Sequence, residues 1–256
     1  MLLRFLLPLV CLLASLGSVA AADDSAHIVF MIGEDEYHTW ETLPDFAEKA
    51  LKPRGYRITI IRAEEADKNH FPGLVAALRD ADLLFLSVRR RTPPKEQLDA
   101  VRAHLAAGKP LVGIRTASHA FALRPKDKVA DPKLATWQEF DPEVLGGHYS
   151  NHYKGDQVAA ISLAPGAESH PILRDIPVTK LPGNGSLYKV SPLENGTTPL
   201  LIGAIVGEAP EPVAWTRLYG PKSARIFYTS LGHPEDFKSA DFHHFLTNAV
   251  VWALGK

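Results

Sequence analysis

The stretch "KPLVGIRTASHAF" (Lys109 to Phe121) decides the fold class of this chain. Its apolar first half ends at Ile114 and is typical of a buried strand, and polar side chains follow at once, among them Arg115, Ser118 and His119. Open α/β sheets place their binding and catalytic groups just beyond the carboxyl ends of parallel strands. The stretch therefore predicts an inner strand of such a sheet, with a candidate site at its end.

The chain before this stretch alternates between strands and helices. Apolar and β-branched runs predict strands over 27–33, 56–63 and 82–88, and helical spacing predicts helices over 42–51, 71–81 and 93–107. Alternation at this spacing is typical of parallel sheets with helices on both faces. We therefore predict an α/β fold of the flavodoxin-like, doubly wound, mostly parallel type.

The second half of the chain is less regular. Strand patterns occur over 157–164, 186–193, 199–206, 212–219 and 224–233, and we expect some of these strands to be antiparallel. An amphipathic pattern predicts a closing helix over 240–255. Because the sequence contains neither internal repeats nor a linker, we predict a single domain over residues 23–256.

The N-terminus resembles a secretory signal peptide. Arg4 precedes an apolar core over 5–16, and small residues suited to cleavage follow it. We therefore predict a signal peptide over residues 1–22 and a secreted or periplasmic protein; the alternative is an uncleaved anchor. Beyond this segment no stretch is apolar enough to suggest a membrane span.

Charge and cysteine content exclude several classes of function. The 256 residues include 28 Lys and Arg and 29 Asp and Glu, and the formal net charge is −1. The short run Arg89-Arg90-Arg91 suits a solvated loop or an anion contact, so we expect no nucleic-acid partner. Cys11 is the only cysteine and lies in the predicted signal peptide. The predicted mature chain therefore has no disulfide, thiolate nucleophile or cysteine metal ligand.

A series of motifs resembles one known family across nearly the whole predicted mature chain. The motifs are "GIRTASHAF" (113–121), "LGGHYSNHY" (145–153), "SHPILRDI" (169–176), "LYKV" (187–190), "PVAWTRLYGPKSARIFYTSLGH" (212–233) and "VVWALG" (250–255). In their order and spacing they resemble the ThuA-like family, named for trehalose utilisation. The resemblance implies a fold similar to the class I glutamine amidotransferases and a role in sugar metabolism, on glycosides or keto-sugars.

The amidotransferases present a cysteine on the sharp turn that corresponds to the region of Arg115. Since the predicted mature chain has no cysteine, glutamine hydrolysis through a thioester is excluded, and the protein is not expected to be a glutamine amidotransferase. Ser118 is a poor substitute, because a serine elbow needs glycines two residues away on each side. Thr116 and Ala120 stand there instead.

Five histidines fall at predicted strand ends or in adjoining loops, and we expect them to line one pocket: His38, His119, His148, His152 and His233. Histidine is a common acid or base near neutral pH and a common metal ligand. We predict catalytic roles for Arg115, His119, His148 and His233, and possible ligation of zinc or a similar divalent ion by His38, His148, His152 and His233. The alternative is that each histidine caps a loop or bonds a backbone carbonyl.

Further residues are candidate substrate contacts: Trp40, Tyr149, Tyr153 and Glu34. The aromatic rings suit stacking on a sugar, although aromatic side chains more often belong to a core. Arg115 suits a pair of sugar hydroxyls or a developing oxyanion. Its alternative is an ion pair with Glu34, Asp35 or Glu36.

These features predict an exported sugar-active enzyme whose substrate is a small carbohydrate. It would act on a glycoside or a keto-sugar by hydrolysis, elimination or isomerisation, with histidine acid–base or metal-assisted chemistry. Two alternatives are a non-catalytic carbohydrate-binding protein that uses the same pocket and a metal-dependent amide or ester hydrolase. The oligomeric state is left open.

Overall fold

A mixed sheet of eight strands forms the centre of the structure. The computed structural model describes residues 25–129, 131–154 and 157–256, and the predicted signal peptide lies outside these described residues. The strands are β1 His27–Gly33, β2 Arg57–Arg62, β3 Leu83–Val88, β4 Leu111–Ile114, β5 Asn151–His152, β6 Ala160–Leu163, β7 Tyr188–Lys189, β8 Thr197–Ala204, β9 Glu211–Tyr219 and β10 Ala224–Thr229. The main sheet has the order β2-β1-β3-β4-β10-β9-β8-β6, and β5 pairs separately with β7.

The two halves of the main sheet differ in strand direction. β2, β1, β3, β4 and β10 are parallel to one another, whereas β10, β9, β8 and β6 alternate in direction. This arrangement confirms the predicted parallel sheet with antiparallel strands in the C-terminal half. All parallel strands therefore end at one edge of the sheet, where their loops meet.

Helices cover both faces of the sheet, as predicted. They are α1 Thr39–Phe46, α2 Leu74–Asp80, α3 Lys95–Ala106 and α4 Ala240–Ala253, and α1 continues through a π-helical turn, Ala47–Leu51. The core that contains α1 and α4 includes Phe46 and Phe245, and the core on α2 and α3 includes Leu78 and Val101. Within the described residues, no helix combines the length and apolar character that crossing a membrane requires.

One predicted strand is much shorter in the structure. The pattern over 186–193 forms only β7, Tyr188–Lys189, which pairs with β5 outside the main sheet. The backbone N–H groups of Val190 and Ser191 donate to the Glu211 carboxylate at 3.1 and 3.0 Å, so they are not available to a neighbouring strand. The next residue, Pro192, has no N–H to donate.

Helix α2 also begins later than the sequence pattern predicts, at Leu74 instead of residue 71. Gly73 precedes it with a φ of 81°, a left-handed conformation that glycine adopts without steric strain. The preceding Phe71 is buried, and its N–H and C=O both bond the side-chain amide of Gln97 at 3.0 Å. Phe71 therefore belongs to the loop that joins β2 to α2.

We expect Phe85→Ala to destabilise the protein by about 3–5 kcal/mol, because it removes a buried ring from the centre of the parallel sheet. Phe85 stacks on Phe30 with ring centroids 4.6 Å apart. Urea denaturation measures the change. Val206→Ala is the control: its side chain is 89% exposed, so its loss should change stability by no more than about 0.5 kcal/mol. Equal effects would contradict this assignment of the core.

Candidate active site

The loops after β1, β3 and β4 meet at the carboxyl edge of the sheet. Each loop holds one residue in the left-handed region: His38 (φ 51°), Arg90 (φ 51°) and Arg115 (φ 49°). Non-glycine side chains adopt this conformation at an energetic cost, and such strain concentrates at functional sites. Two other non-glycine residues, Asp175 and Ser223, also have left-handed φ values, but this edge has three such residues together.

A cavity of about 530 Å³ opens between these loops and the β5–β7 pair. Its volume falls within the range of small-molecule sites, roughly 300–1,000 Å³. Basic, aromatic and imidazole side chains predominate in its lining, which comprises Glu36, Tyr37, Arg89, Arg90, His119, Arg124, Pro125, Lys126, Asp127, Tyr149, Ser150, Asn151, His152 and Tyr188.

A larger hollow of about 870 Å³ lies at the opposite, amino edge of the sheet. Its described lining includes Arg57, Asp82 and Arg225 but neither histidine nor tyrosine. It is broad and open, and its described lining has carboxylates at Asp80 and Asp82 but neither an imidazole nor an aromatic wall. Although this hollow is larger, the carboxyl-edge cavity is the better candidate, because imidazole and aromatic side chains line it.

Arg115 lies buried behind the aromatic wall of the cavity. Its guanidinium donates from Nη1 to the carbonyl of Ser230 at 2.6 Å and lies over the rings of Tyr37 and Tyr188, at 4.4 and 4.7 Å from their centroids. Its own carbonyl accepts a hydrogen bond of 2.6 Å from the Tyr228 phenol. Among the described residues, no carboxylate forms an ion pair with Arg115, so it does not make the ion pair considered from the sequence.

His119 provides the buried imidazole of the cavity. Its ring stacks on Tyr149 with centroids 4.3 Å apart, and Nδ1 shares a hydrogen bond of 3.0 Å with the Ser118 hydroxyl. Burial, followed by the charges of Arg90 and Arg89 and then of Arg115 and Arg124, holds the pKa of His119 well below its usual value. The imidazole is therefore neutral near neutral pH, and Nε2 is the nitrogen left for a ligand.

Glu34 organises the loop after β1. Its buried carboxylate accepts hydrogen bonds from the backbone N–H groups of Glu36 and Tyr37, both at 2.6 Å, and from the N–H and hydroxyl of Thr39, both at 2.7 Å. It does not line the main cavity, but its contacts fix the position of Tyr37, which does. Glu34 thus acts on the site through the loop.

The predicted histidines separate into two groups. His119 and His152 line the cavity, and His233 lies beside it, with its ring centroid 6.2 Å from that of Tyr37. His148 instead pairs with Glu194 at 2.9 Å, outside the cavity lining, and His38 packs on Trp40 with centroids 4.7 Å apart. The structure therefore does not bring all five imidazoles into one pocket.

The four histidines predicted to bind metal do not form a ligand set. Among the described residues, no group of three or more His, Cys, Asp or Glu side chains is placed to hold a metal ion. Nδ1 of His152 bonds the carbonyl of Tyr153 at 2.9 Å, and Nδ1 of His233 accepts from the Glu235 N–H at 3.2 Å. These residues do not fit the divalent ion considered from the sequence.

The aromatic residues predicted to contact substrate also separate. Tyr149 lines the cavity, whereas Trp40 lines a different hollow, of about 380 Å³. Tyr153 is buried elsewhere, with Lys189 Nζ 4.1 Å from its ring centroid. Sequence reasoning did not single out Tyr37 and Tyr188, which the structure places in the aromatic wall. The position of Tyr37 in the loop after β1 could have indicated that it lies at the carboxyl edge. Tyr188 lies in the two-residue strand β7, and nothing in its sequence context pointed to the site.

Asp141 is a buried carboxyl group that supports this wall from behind. Its Oδ2 accepts from the backbone N–H of Tyr149 at 2.6 Å, and Oδ1 is buried with no hydrogen-bond partner among the described residues. Burial raises the pKa of Asp141 to about 7, although the hydrogen bond from Tyr149 opposes this rise. The group that positions Tyr149 therefore changes charge near neutral pH.

Comparison with known proteins identifies the same architecture. The family model described as "Trehalose utilisation" (ThuA) matches residues 28–253. A ThuA-like protein from Bacteroides uniformis ATCC 8492 is 17% identical, with a TM-score of 0.67 over 93% of this chain and 95% of that one. A ThuA-like protein from Parabacteroides merdae ATCC 43184 is 17% identical, with a TM-score of 0.64 over 91% of each chain.

A β-galactosidase also contains a region of similar fold. The β-galactosidase from Rahnella sp. R3 is 16% identical over the matched region, with a TM-score of 0.53 over 88% of this chain and 31% of that one. At these identities the structural likenesses concern the fold alone. No curated protein sequence matches the chain.

We expect the wild-type protein to lose stability as pH rises towards 7, and the Asp141→Asn variant to lack the part of this loss that Asp141 causes. A carboxyl whose pKa is raised by folding stabilises the fold while protonated, and this contribution is lost as pH rises from its unfolded value towards the folded pKa of about 7. The stability of Asp141→Asn relative to wild type should therefore increase between about pH 5 and pH 7, by at most about 1.4 kcal/mol per pH unit. Urea denaturation across this range measures it, and a constant difference would contradict the assigned pKa.

We expect Gly185→Ala to destabilise the protein more than Gly196→Ala. Both glycines follow an asparagine and have left-handed φ values, +76° and +79°, so alanine introduces similar backbone strain at each. At Gly185 the new Cβ would also collide with the Arg115 guanidinium, whereas at Gly196 it would meet nothing within 4 Å. Denaturant unfolding should show an additional loss of about 1–3 kcal/mol for Gly185→Ala. Equal losses of stability in the two variants would mean that the Arg115 guanidinium can move away from the new Cβ without cost.

Proposed function

The chain belongs to the ThuA, or trehalose utilisation, family, and from this premise we propose that it is a sugar-active enzyme that uses His119 as its acid and base. The substrate is a glycoside or a keto-sugar. One observation carries the proposal: an imidazole held neutral by burial, and further by neighbouring arginine charges, faces a cavity with aromatic walls. A neutral imidazole can accept a proton, and the surrounding cations can stabilise the negative charge that forms when it does.

A keto-sugar suits this arrangement better than an unmodified glycoside. A carbonyl makes the neighbouring C–H acidic, so one base and one electrostatic stabiliser are sufficient and no nucleophile is needed. His119 Nε2 takes the proton, and the electron pair of the C–H bond moves onto the carbonyl oxygen, whose negative charge the cations of the cavity lining stabilise. For elimination, the carbonyl re-forms and the electrons expel the glycosidic oxygen from the carbon next to the deprotonated one, which leaves a C=C bond between these two carbons. The departing oxygen receives the proton back from His119.

A chain of hydrogen bonds supports His119 as the base. The Tyr228 phenol donates to the carbonyl of Arg115, and the Ser118 hydroxyl is in turn a partner of that phenol. If Ser118 donates to Tyr228, its oxygen accepts from Nδ1–H of His119, and the lone pair on Nε2 faces the cavity. In this role Ser118 fixes the tautomer of His119 and is not a nucleophile.

The aromatic walls support a carbohydrate as the ligand. Tyr37 and Tyr149 are partly exposed in the cavity lining, and their rings offer apolar faces on which sugar C–H groups stack, whereas Tyr188 is buried behind them. The similarity of fold to a domain of a β-galactosidase agrees with a sugar-related role. The export predicted from the N-terminal sequence is part of the same proposal.

The test is exchange of the acidic C–H proton in methyl 3-keto-α-D-glucopyranoside, followed by proton NMR in D₂O together with release of methanol. We expect wild-type enzyme to catalyse exchange, and His119→Asn to be slower by about 100- to 10,000-fold, the usual contribution of a general base.

His148→Asn is the matched control, because it removes an imidazole that lies outside the cavity lining and should leave the rate unchanged. Equal rates for His119→Asn and wild type would refute the assigned base. Tight binding of the keto-glycoside by wild-type protein without exchange or release would instead favour a non-catalytic carbohydrate-binding protein.

A further inference from the structure

We propose that the cavity selects a sugar that carries a negative charge, a carboxylate or a phosphate, and that Arg90 is its main anion contact. This inference rests on the proposed function, since the same cavity holds the sugar. It adds the chemical class of the substrate, which neither the fold nor the family match provides.

The charges that line the cavity are unequal. Four cationic side chains, Arg89, Arg90, Arg124 and Lys126, face two carboxylates, Glu36 and Asp127. Arg115 adds a fifth positive charge behind the aromatic wall. Since the whole chain has a formal charge of −1, the basic lining is a local feature and not a consequence of composition.

Ion pairing leaves most of this charge uncompensated. Arg89 pairs with Glu36 at 2.6 Å. Among the described residues, no carboxylate lies within ion-pair distance of Arg90, Arg124 or Lys126. The two acidic residues of the lining therefore do not neutralise its four cations, and an anionic ligand would find several N–H donors without a carboxylate partner.

Arg90 is the best placed of these cations. Its backbone is fixed in the left-handed region by an N–H bond of 2.9 Å to the carbonyl of His119, next to the proposed base. Its half-buried guanidinium makes one hydrogen bond, from Nη1 to the carbonyl of Ala122 at 3.3 Å. A guanidinium has five N–H donors, so most of its capacity is left for a ligand.

The electrostatic environment agrees with this geometry. Burial, together with the charges of Arg124 and Arg89, lowers the pKa of Arg90 from its usual value. Tyr149 and the Asp127 carboxylate oppose this shift but do not reverse it, so the charged form lacks full compensation. An anion bound beside Arg90 would relieve this cost, because it replaces lost hydration with an opposite charge.

The same cavity is poorly suited to a small inorganic anion. Two partly exposed tyrosine rings lie in its wall, at Tyr37 and Tyr149, and a phosphate ion alone would leave their open faces without a partner. A sugar ring covers them while its charged substituent reaches the arginines. The combination of aromatic wall and unpaired cations therefore favours an anionic sugar.

The test is isothermal titration of wild-type protein with three ligands that differ only at C6: methyl α-D-glucopyranoside, the corresponding glucuronide and the 6-phosphate. We expect the glucuronide or the 6-phosphate to bind at least about tenfold more tightly than the neutral glycoside at low salt, the contribution of one charge-assisted hydrogen bond. The stronger of the two identifies the charged group as carboxylate or phosphate.

Arg90→Gln should remove this preference, while Arg54→Gln, a matched loss of charge on the exposed turn before β2, should keep it. Equal affinity for all three glycosides, equal effects of the two variants, or equally tight binding of inorganic phosphate would each overturn the proposal.

None of the three glycosides contains a ketone, so this experiment does not depend on catalysis. Selective binding of the charged glycosides, together with no proton exchange in either the neutral keto-glycoside or its charged 3-keto counterpart, would leave the anion site in place and refute the enzyme. Exchange that depends on His119, together with no preference for charge at C6, would support the enzyme and refute the anion site.

Discussion

The rest of the site depends on a positive charge buried without a carboxylate. Arg115 lies at the end of the central strand β4, and its guanidinium is held by a carbonyl of Ser230 and by the faces of Tyr37 and Tyr188. Aromatic faces attract a cation but do not cancel its charge as a carboxylate would. The positive potential of Arg115 therefore extends into the cavity, where it contributes to the lowered pKa of His119.

The neutral state of His119 follows from this potential. Burial disfavours the imidazolium, and the arginines after β3 and β4 disfavour it further, so both effects act in the same direction. The buried carboxyl of Asp236 lies on the far side of Arg115, where it accepts hydrogen bonds from the N–H groups of Gly232 and His233 and from Asn184. It shapes the loop after β10 without forming an ion pair that would neutralise the cation among the described residues.

The sequence was sufficient for the fold because the inner parallel strands β1, β3 and β4 are buried along their whole length and each helix has a distinct apolar side. His119, Tyr149 and His152, which the sequence assigned to one site, all line the cavity. Strand direction explains this only for His119, which follows β4, because Tyr149 and His152 lie next to and in the short β5 outside the main sheet. The sequence could not give the direction of a side chain within a loop. His38 and His148 occur in the same set of loops and point elsewhere, towards Trp40 and Glu194.

The sequence resemblance implies a fold similar to that of the amidotransferases. The turn at Arg115 indicates how such a fold could support chemistry other than theirs. A left-handed residue directly after an inner strand gives a sharp turn that presents its side chain or that of a neighbour at the site. Where such a turn carries a thiol, it supports covalent catalysis. Here it carries a guanidinium beside a neutral imidazole. In the function proposed above, this strained backbone serves an electrostatic purpose, because it holds a fixed positive charge close to His119, where that charge would stabilise an anion that forms or binds in the cavity.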